Sequence, residues 1–348
     1  MVQVPEIKLI NPVNFTGWND LIFQMNGYSI FHSSQWAKLL SNTYGYKPCY
    51  LVIEKEGRIL AVVPMMIINS FITGRRIVSL PFTDFCKPLL TEDNSFNFIF
   101  DEIIKFGKKE NLNYIEFKDD NKQHNYDNST TFQYRHKLIL DKTDEEMFSS
   151  FRKGTKSKIK KAIKEGVEVQ IDNSFDSIKR FCQMNYVTRR RHGLPPQPTS
   201  FFNNLYKYLI SKNLGFIVLA KKENQVAAGA VYLTFGKKVF YKYSASYPEY
   251  RNLSANNLVM WEAIKHSLSN NFEEMDFGIS ESSNEGLRVY KNGWGVEETK
   301  INLYKYDLKK DMFVELNTRV SGFHNKIFNK APVLLLKLFS SIFYKHFG

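Results

Sequence analysis

The most informative segment of the chain runs from Tyr241 to Gly295. It reads YKYSASYPEYRNLSANNLVMWEAIKHSLSNNFEEMDFGISESSNEGLRVYKNGWG. Its pattern predicts an aromatic strand over 241–245, a polar turn, a helix over 258–268, a short strand over 274–277 and then a loop. Backbone N–H groups at a helix start bind phosphate, and the helix dipole strengthens this binding. This order of elements therefore predicts a site that holds a phosphate-bearing group.

The polar turn before the helix supplies candidate phosphate-binding residues. Arg251 lies just before the helix start, and Ser254 or Asn256 can cap its first turn. An ordinary capped helix after a loop is the alternative interpretation. The predicted donor-binding residues are Arg251, Ser254, Asn256 and Asn257.

The loop at the end of the stretch places a lysine between glycines. Tyr290 and Lys291 follow Gly286 and precede the Gly-Trp-Gly segment at 293–295. An ammonium group on a tight loop can stabilise the oxyanion of an acyl-transfer transition state or hold a phosphate. A solvent-facing lysine in a turn is the alternative.

The same order of elements occurs twice along the chain. The segments LVIEKEGRILAVVPMM at 51–66 and FIVLAKKENQVAAGAVYL at 216–233 each predict two strands around a short charged turn. We expect two copies of one unit, with domains at 1–145 and 146–310. The irregular alternation of helices and strands favours an α/β (α+β) fold with mixed, mostly antiparallel sheets flanked by helices.

Residues 311–348 form a C-terminal tail outside this duplication. Apolar residues recur at helical spacing in VLLLKLFSSIFYKHF, at 333–347. We expect this helix to pack on the first domain, since surface helices usually face a core. The alternative is a basic amphipathic helix that lies on a membrane surface.

The charge and the cysteine content narrow the classes of partner. Lys and Arg number 48 against 35 Asp and Glu, which gives a net charge of +13. This excess favours a nucleic acid, a phosphorylated substrate or an anionic membrane as partner, and a merely basic surface is the alternative.

The three cysteines indicate neither a disulfide framework nor a zinc site, so a reducing, cytoplasmic setting is expected. We predict no signal peptide at the N-terminus and no membrane span.

Several common catalytic patterns are absent from the sequence. There is no GxxxxGK[ST] phosphate loop, no GxGxxG after a strand, no HExxH and no GxSxG. The seven histidines show no metal-ligand spacing. We therefore expect no metal site and no serine nucleophile.

Two basic segments open the second half of the chain. The arginines of TRRRHG, at 188–193, can clamp phosphates or carboxylates, although they also suit the C-terminal dipole of a helix. The segment RKGTKSKIKKAIK, at 152–164, predicts a helix with one apolar stripe, as part of one helical stretch that begins at residue 144. Its basic face is either a solvated surface or a platform for phosphate. Because it lacks interleaved aromatic residues, base stacking is not favoured.

The first half contributes two further candidates. Asp84 lies in SLPFTDF, at 79–85, which predicts a polar turn after a strand, and Lys38 lies on the first predicted helix with Trp36. These residues are candidates to line a cleft between the domains.

Taken in order, these segments resemble the FemAB-like branch of the GNAT superfamily, which includes the aminoacyltransferases that build peptidoglycan bridges. The resemblance covers nearly the whole chain. It rests on FHSSQWAKLL, SLPFTDF, RKGTKSKIKKAIKEGVEV, TRRRHG, GAVYLTFGKKVFYKYSAS, ANNLVMWEAIKHS and MDFGISESSNEGLRVYKNGWG. It implies two tandem GNAT-like domains, with the tail returning to the first. It also implies transfer of an amino acid from aminoacyl-tRNA to an amine of a peptidoglycan precursor.

The resemblance implies roles for individual residues. Tyr290 and Lys291 resemble the aromatic-lysine pair near the acyl donor, which makes them the predicted catalytic residues. Arg191 resembles the arginine that holds substrate phosphate, and Tyr243 falls on the strand that faces the acceptor cleft. The predicted substrate-binding residues are Arg191, Tyr243, Lys38 and Asp84.

Two departures from the family pattern concern the donor and the acceptor. GNAT proteins that use acyl-CoA usually have an R/QxxGxG/A pyrophosphate loop, whereas the turn here reads RNLSAN at 251–256, without those glycines. The long coiled-coil insertion of some bridge-forming members is also missing. Compact relatives that acylate other envelope sugars or peptides therefore fit as well.

The leading expectation is an N-acyltransferase that acts on an amine of a cell-envelope precursor, such as a peptidoglycan peptide. It needs no tightly bound cofactor, and its co-substrate is aminoacyl-tRNA or acyl-CoA. The expected partners are a phosphorylated envelope precursor, tRNA and the inner face of the membrane, and not DNA. The alternatives are acyl-CoA-dependent acylation of an amino-sugar in envelope polysaccharide, or a non-catalytic module that binds RNA or membrane.

Overall fold

The computed structural model describes residues 5–91, 96–120, 131–316 and 328–348, with backbone only at 96 and 97. The described helices are α1 Trp18–Phe23, α2 Ser34–Tyr44, α3 Phe96–Lys109, α4 Asp144–Ser150, α5 Lys153–Lys164, α6 Phe175–Arg191, α7 Thr199–Tyr208, α8 Ala255–Ser269, α9 Glu285–Asn292 and α10 Val333–Phe343. The described strands are β1 Glu6–Ile10, β2 Lys47–Pro48, β3 Tyr50–Lys55, β4 Arg58–Val63, β5 Met66–Ser70, β6 Gly74–Val78, β7 Leu89–Leu90, β8 Tyr114–Asp119, β9 Thr131–Ile139, β10 Glu168–Ile171, β11 Gly215–Lys222, β12 Gln225–Phe235, β13 Lys238–Ser246, β14 Glu274–Glu281, β15 Glu297–Asp307 and β16 Met312–Val314.

The chain divides into two compact units. The first unit contains Met1–Gln133, Lys300–Thr318 and Lys345–Gly348, and the second contains Tyr134–Thr299 and Arg319–Tyr344. The boundary predicted near residue 145 stays a prediction, and that residue lies within α4 of the second unit.

The first unit contains two groups of paired strands. One has the order β1-β3-β4-β7, with antiparallel neighbours. The other has the order β15-β8-β6-β5-β2, in which β6 and β8 are parallel and the remaining pairs are antiparallel. The core of this unit forms where α3 packs on β8 and β15, through Phe100, Phe117 and Tyr304 among others.

The second unit is built on the strand order β10-β11-β12-β13-β14-β9. Its strands β10 to β13 are antiparallel neighbours, and β14 runs parallel to β13 because α8 connects the two. The core includes residues of α5 and α8, with Trp294 fully buried beside them. A Cβ atom at Gly229 of β12 would come within 2.7 Å of Leu219 Cδ2 and 2.9 Å of the Val218 carbonyl oxygen on β11, and within 3.1 Å of the Met184 methyl group on α6. The glycine therefore lets both β11 and α6 lie close to this strand.

The predicted fold class is confirmed, with mixed and mostly antiparallel sheets flanked by helices. Both predicted hairpins are present, β3 with β4 and β11 with β12. The helix predicted to run unbroken from 144 to 164 is wrong. It is two helices, α4 and α5, because Phe151 takes an extended backbone (φ −70°, ψ 149°) that ends α4.

Helix α10 belongs to the predicted C-terminal tail. It packs against α6 and α7 of the second unit, with Leu336 and Ser340 buried. Lys345–Gly348 lie in the first unit, where the hydroxyl of Tyr46 donates a 2.6 Å hydrogen bond to the backbone oxygen of Lys345. The sequence predicts a tail helix that packs on the first domain, whereas α10 packs within the second unit, because its buried side meets α6 and α7. Residues 317–327 of the tail lie outside the described residues.

Candidate active site

The predicted catalytic lysine lies on a helix and not, as expected, on a tight loop. Lys291 is in the last turn of α9, which begins at residue 285 because the side-chain oxygen of Asn284 accepts a 3.1 Å hydrogen bond from the Leu287 N–H. The lysine is only 3% exposed. Its Nζ donates a 2.9 Å hydrogen bond to the backbone oxygen of Ile279 on β14. A solvent-facing lysine, the alternative reading, is therefore wrong.

The carbonyl that receives this bond is held by a local network on β14. Arg135 of β9 donates from Nε to a carboxylate oxygen of Asp276 (2.7 Å), and the other oxygen of Asp276 accepts from the Gly278 N–H (2.7 Å). Gly278 has φ 71°, which a residue with a side chain rarely adopts. The left-handed backbone at Gly278 bends the strand. This bend and the nearly buried ion pair of Arg135 with Asp276 fix the backbone just before Ile279.

A fully buried histidine lies beside the lysine. The Nε2 atom of His136 is 3.1 Å from the Ser280 hydroxyl, and its Nδ1 is 3.7 Å from a carboxylate oxygen of Glu298. Burial, and then the charge of Lys291, lower the pKa of His136 to about 4. The histidine is therefore neutral at pH 7, so it does not oppose the charge of the lysine.

Glu298 connects α9 to β15. Its carboxylate accepts two hydrogen bonds from Arg288, at 3.1 and 2.7 Å, and one from Asn292 at 3.3 Å. The Arg288 hydrogen bonds hold the pKa of Glu298 below its usual range. The Arg288 guanidinium also lies 3.7 Å from the ring centre of Tyr134. These bidentate and stacking contacts fix the helix that carries Lys291.

Tyr290 packs into the core of the second unit. Its ring lies edge-on to Trp294, with centroids 6.1 Å apart. Burial, and then the nearby Tyr241, raise the pKa of Tyr290 well above its ordinary value. The hydroxyl therefore stays protonated at neutral pH, and the ring anchors the end of α9.

The start of α8 differs from the predicted cap. Ser254 is at the N-cap position, but its side chain makes no capping hydrogen bond, and its backbone has φ 57° in the left-handed region. The turn Pro248–Leu253 before it is a 3-10 helix, so the chain must reverse sharply at Ser254. The side-chain oxygen of Asn256 is buried without a hydrogen-bond partner among the described residues, and Asn257 is buried.

Two predicted phosphate-binding arginines lie close to one another. Burial, and then the charge of Arg251, lower the pKa of Arg191. Nη1 of Arg191 is buried with no hydrogen-bond partner in the described part of the chain. The pKa of His192 is lowered by burial and then by Arg191, Arg189 and Arg251. This concentration of positive charge beside the start of α8 is suited to an anion.

The three arginines of the TRRRHG segment differ in their hydrogen-bond partners. Arg189 donates two hydrogen bonds to the backbone oxygen of Pro195, and Arg190 donates one to the backbone oxygen of Asn329. Among the three, Arg191 is the one with a buried guanidinium nitrogen left for a ligand.

Tyr243, predicted to face the acceptor, lies half-buried on β13. Its ring makes edge contacts with Phe201 and Phe202 of α7, at 5.7 and 6.0 Å between centroids. The ammonium of Lys242 lies 5.3 Å from the centre of the Tyr243 ring.

The remaining two predicted residues belong to the first unit. Lys38 is exposed on α2. Asp84 is half-buried in the SLPFTDF turn, where the backbone oxygens of Thr83 and Asp84 accept hydrogen bonds from Lys118 at 3.0 and 2.7 Å. Trp36 also donates to the Thr83 hydroxyl (3.1 Å), so this turn has a fixed shape.

Within residues 5–91, 96–120, 131–316 and 328–348, no group of three or more His, Cys, Asp or Glu side chains could hold a metal ion. Across the same ranges, no helix has the length and apolar character needed to cross a bilayer.

Sequence reasoning missed the residues around Lys291. They are Arg135, His136, Asp276, Ser280 and Glu298. A usable signal was the polar run Arg135-His136-Lys137 inside the strand segment FQYRHKLIL, at 132–140, since polar residues on a buried strand usually find partners there.

The fold is similar to that of GNAT proteins. Residues 149–292 match the family model described as Acetyltransferase (GNAT) domain. The structure is also similar to the crystal structure of FemX, with a TM-score of 0.64 and 15% identity over 85% of this chain and 96% of that one. A tandem GNAT protein from the clavulanic acid biosynthesis pathway gives a TM-score of 0.55 at 9% identity, covering 88% of this chain and 99% of that one.

Curated relatives narrow the resemblance further. The chain is 29% identical to a UDP-N-acetylmuramoylpentapeptide-lysine N(6)-alanyltransferase of Weissella viridescens, over 47% of this chain and 49% of that protein. It is 23% identical to a lipid II:glycine glycyltransferase of Staphylococcus haemolyticus, over 50% of this chain and 58% of that protein. The chain thus spans about half the length of the curated relatives it matches. The predicted likeness to peptidoglycan bridge transferases is confirmed.

Proposed function

We propose that this protein is an N-acyltransferase that moves an aminoacyl group from an activated donor to an amine of a peptidoglycan precursor. The acceptor amine attacks the acyl carbonyl carbon, and the new C–N bond replaces the bond to the leaving oxygen or sulfur. One amine proton ends on the leaving group. The observation that carries this proposal is the buried ammonium of Lys291, held in place at the end of α9.

Lys291 is proposed to stabilise the negative charge that develops on the acyl oxygen. A cation that is already desolvated and fixed does this with little reorganisation, and removing one such group typically costs about 10²–10³ in kcat. The neutral state of His136 supports this role, because a second buried charge would lower the electrostatic stability of the ammonium. No covalent enzyme intermediate is required.

The anion-binding region is proposed to hold a phosphate of the substrates. Arg191 and Arg251 place two guanidinium groups near the first turn of α8, whose unsatisfied N–H groups favour negative charge. Lys38, Asp84 and Tyr243 stay proposals for acceptor binding.

Aminoacyl-tRNA is the donor we favour, with acyl-CoA as the second candidate. Ser254 stands where the R/QxxGxG/A pattern has its first glycine, and it keeps the left-handed backbone of a glycine (φ 57°) while carrying a side chain. Asn256 adds a second side chain at the position of the last glycine. Both side chains reduce the room for a pyrophosphate to approach the backbone as it does in GNAT loops.

Mass spectrometry of acceptor precursors tests this function directly. The protein is incubated with UDP-linked or lipid-linked muramoyl pentapeptide and with either a mixture of aminoacyl-tRNAs or acetyl-CoA. The proposal predicts an acceptor whose mass rises by one aminoacyl residue with the tRNA mixture. An acetylated acceptor would establish the second donor, and an unchanged acceptor with every donor would contradict the proposed function.

A further inference from the structure

The outward face of α10 carries four large aliphatic side chains that remain in solvent. Leu334, Leu335, Leu338 and Ile342 are 76%, 57%, 58% and 48% exposed. Successive residues of a helix are rotated by about 100°, so these four lie within one arc of about 100°. The buried Leu336 lies on the opposite side, which packs against α6 and α7. The helix is therefore apolar on both faces, and the outward face is left unpacked by the described residues.

The surroundings of this stripe are positively charged. Residues 328–344 contain Lys330 and Lys337 and no Asp or Glu. Helix α7, against which α10 packs, has no acidic residue, and the acidic residue of α6 is Asp176 in its first turn. Arg190, in the last turn of α6, donates to the backbone oxygen of Asn329 just before α10. An apolar stripe bordered by cations is the pattern of a helix that lies in the interface of an anionic bilayer.

We propose that the apolar stripe of α10 docks this protein on an anionic lipid surface. The helix has 11 residues and is about 17 Å long, too short to cross a hydrocarbon core of about 30 Å, so it lies parallel to the membrane. The leucines enter the acyl boundary, and Lys330 and Arg190 contact lipid phosphates. The ammonium of Lys337, 4.6 Å from the ring centre of Tyr186, adds positive charge beside the stripe.

A second copy of the chain is a less suitable occupant. A two-fold pairing of two α10 stripes would bring Lys330, Lys337 and Arg190 of each copy toward the same residues of the other. Like charges placed together across an interface oppose association. An anionic bilayer, in contrast, complements both the apolar stripe and its charged border.

This inference deepens the proposed function and, for the acceptor, rests on it. A protein held at a lipid surface meets an acceptor precursor that is carried by a lipid more often than one carried by a soluble nucleotide. Docking should therefore accelerate transfer to a lipid-linked acceptor in vesicles and leave transfer to a nucleotide-linked acceptor unchanged.

Vesicle co-sedimentation of the full chain tests the docking. The wild-type protein should bind vesicles of phosphatidylglycerol and phosphatidylcholine more tightly than vesicles of phosphatidylcholine alone, and added salt should weaken the binding. The double variant Leu334→Ser/Leu338→Ser should bind at least about tenfold more weakly for each leucine removed. Met312→Ser is the matched control, because Met312 is an exposed apolar residue (54%) on β16, and it should bind like the wild type. Circular dichroism checks that all variants are folded.

Two results would overturn the docking proposal. One is equal vesicle binding by the wild type and the double variant, or no binding by either. The other is a wild-type dimer in light scattering that the double variant converts to a monomer without any lipid binding, which would make a second copy the occupant. Vesicle binding that depends on the leucines, without transfer to any acceptor, would support docking and contradict the proposed function alone.

Discussion

The neutral, buried His136 leads to a prediction about stability and pH. In the unfolded chain a histidine has a pKa of about 6.5, whereas in the folded protein the pKa of His136 is about 4. Between these values the unfolded chain binds a proton that the folded protein does not, so stability falls as pH falls. This loss of unfolding free energy is absent above pH 6.5 and grows as the pH falls, until the pH is below 4.

The two pKa values set the size of this effect. At pH 5 they correspond to a loss of about 2 kcal/mol of unfolding free energy. We expect the His136→Gln variant, which keeps a polar group opposite Ser280, to lack this part of the pH dependence.

Urea unfolding of both proteins at pH 7.5 and pH 5 measures the difference. The wild type should lose about 2 kcal/mol more than His136→Gln between the two pH values, with similar slopes in urea. Subtracting the change in unfolding free energy measured for the variant removes the contributions of the other titrating groups. An identical pH dependence in the two proteins would refute the account of a neutral histidine beside Lys291.

Three further predictions concern the elements that shape the site. Gly278→Ala should lower the unfolding free energy by about 1–2 kcal/mol, because alanine is disfavoured at φ 71°. An unchanged melting temperature would contradict the left-handed backbone at Gly278 of β14. Ser254→Gly should raise stability by up to about 1 kcal/mol, because it removes a side chain at φ 57°, and a clear drop in melting temperature would contradict this. Arg191→Gln should raise the pKa of His192 in an NMR titration, because it removes a positive charge near the imidazole, whereas Arg190→Gln should not. Equal pKa values of His192 in the two variants would show that Arg191 does not belong to the anion-binding region.

Much of the fold could be predicted because its signals are local. Each hairpin has two apolar strands around a short charged turn, and α2 begins at a serine cap, where Ser33 accepts a 3.1 Å hydrogen bond from the Trp36 N–H. The core helix α8 is also a long apolar segment after a polar turn. Patterns of this kind depend on neighbours in sequence, which are visible in a single chain.

The helix that carries Lys291 was misread for a local reason. Gly286 and Gly293 around the lysine indicated a turn. In the structure, the Asn284 cap starts α9, Gly286 lies in its first turn, and Gly293 comes directly after its end. The capping asparagine was the better signal, because a glycine near a helix end is common.

The surroundings of Lys291 depend on contacts distant in sequence. His136 on β9 meets Ser280 on β14, a separation of 144 residues, and it meets Glu298 on β15. These positions come together only once the strand order of the second unit is known, and that order does not follow from local patterns. Arg191 and Arg251 were each singled out in the sequence, but their closeness could be seen only in the structure.

The single-turnover rate of acyl transfer by Lys291→Met tests whether the buried ammonium stabilises the transition state. Methionine keeps the length of the side chain and removes the ammonium, so the rate should fall by about 10²–10³ while the melting temperature changes little. Lys265→Met, on α8, is the control, because that lysine is more exposed and pairs with Glu262 at 2.8 Å; its rate should match the wild type. Equal rates for Lys291→Met and the wild type, with both folded, would contradict the proposed role of the buried lysine.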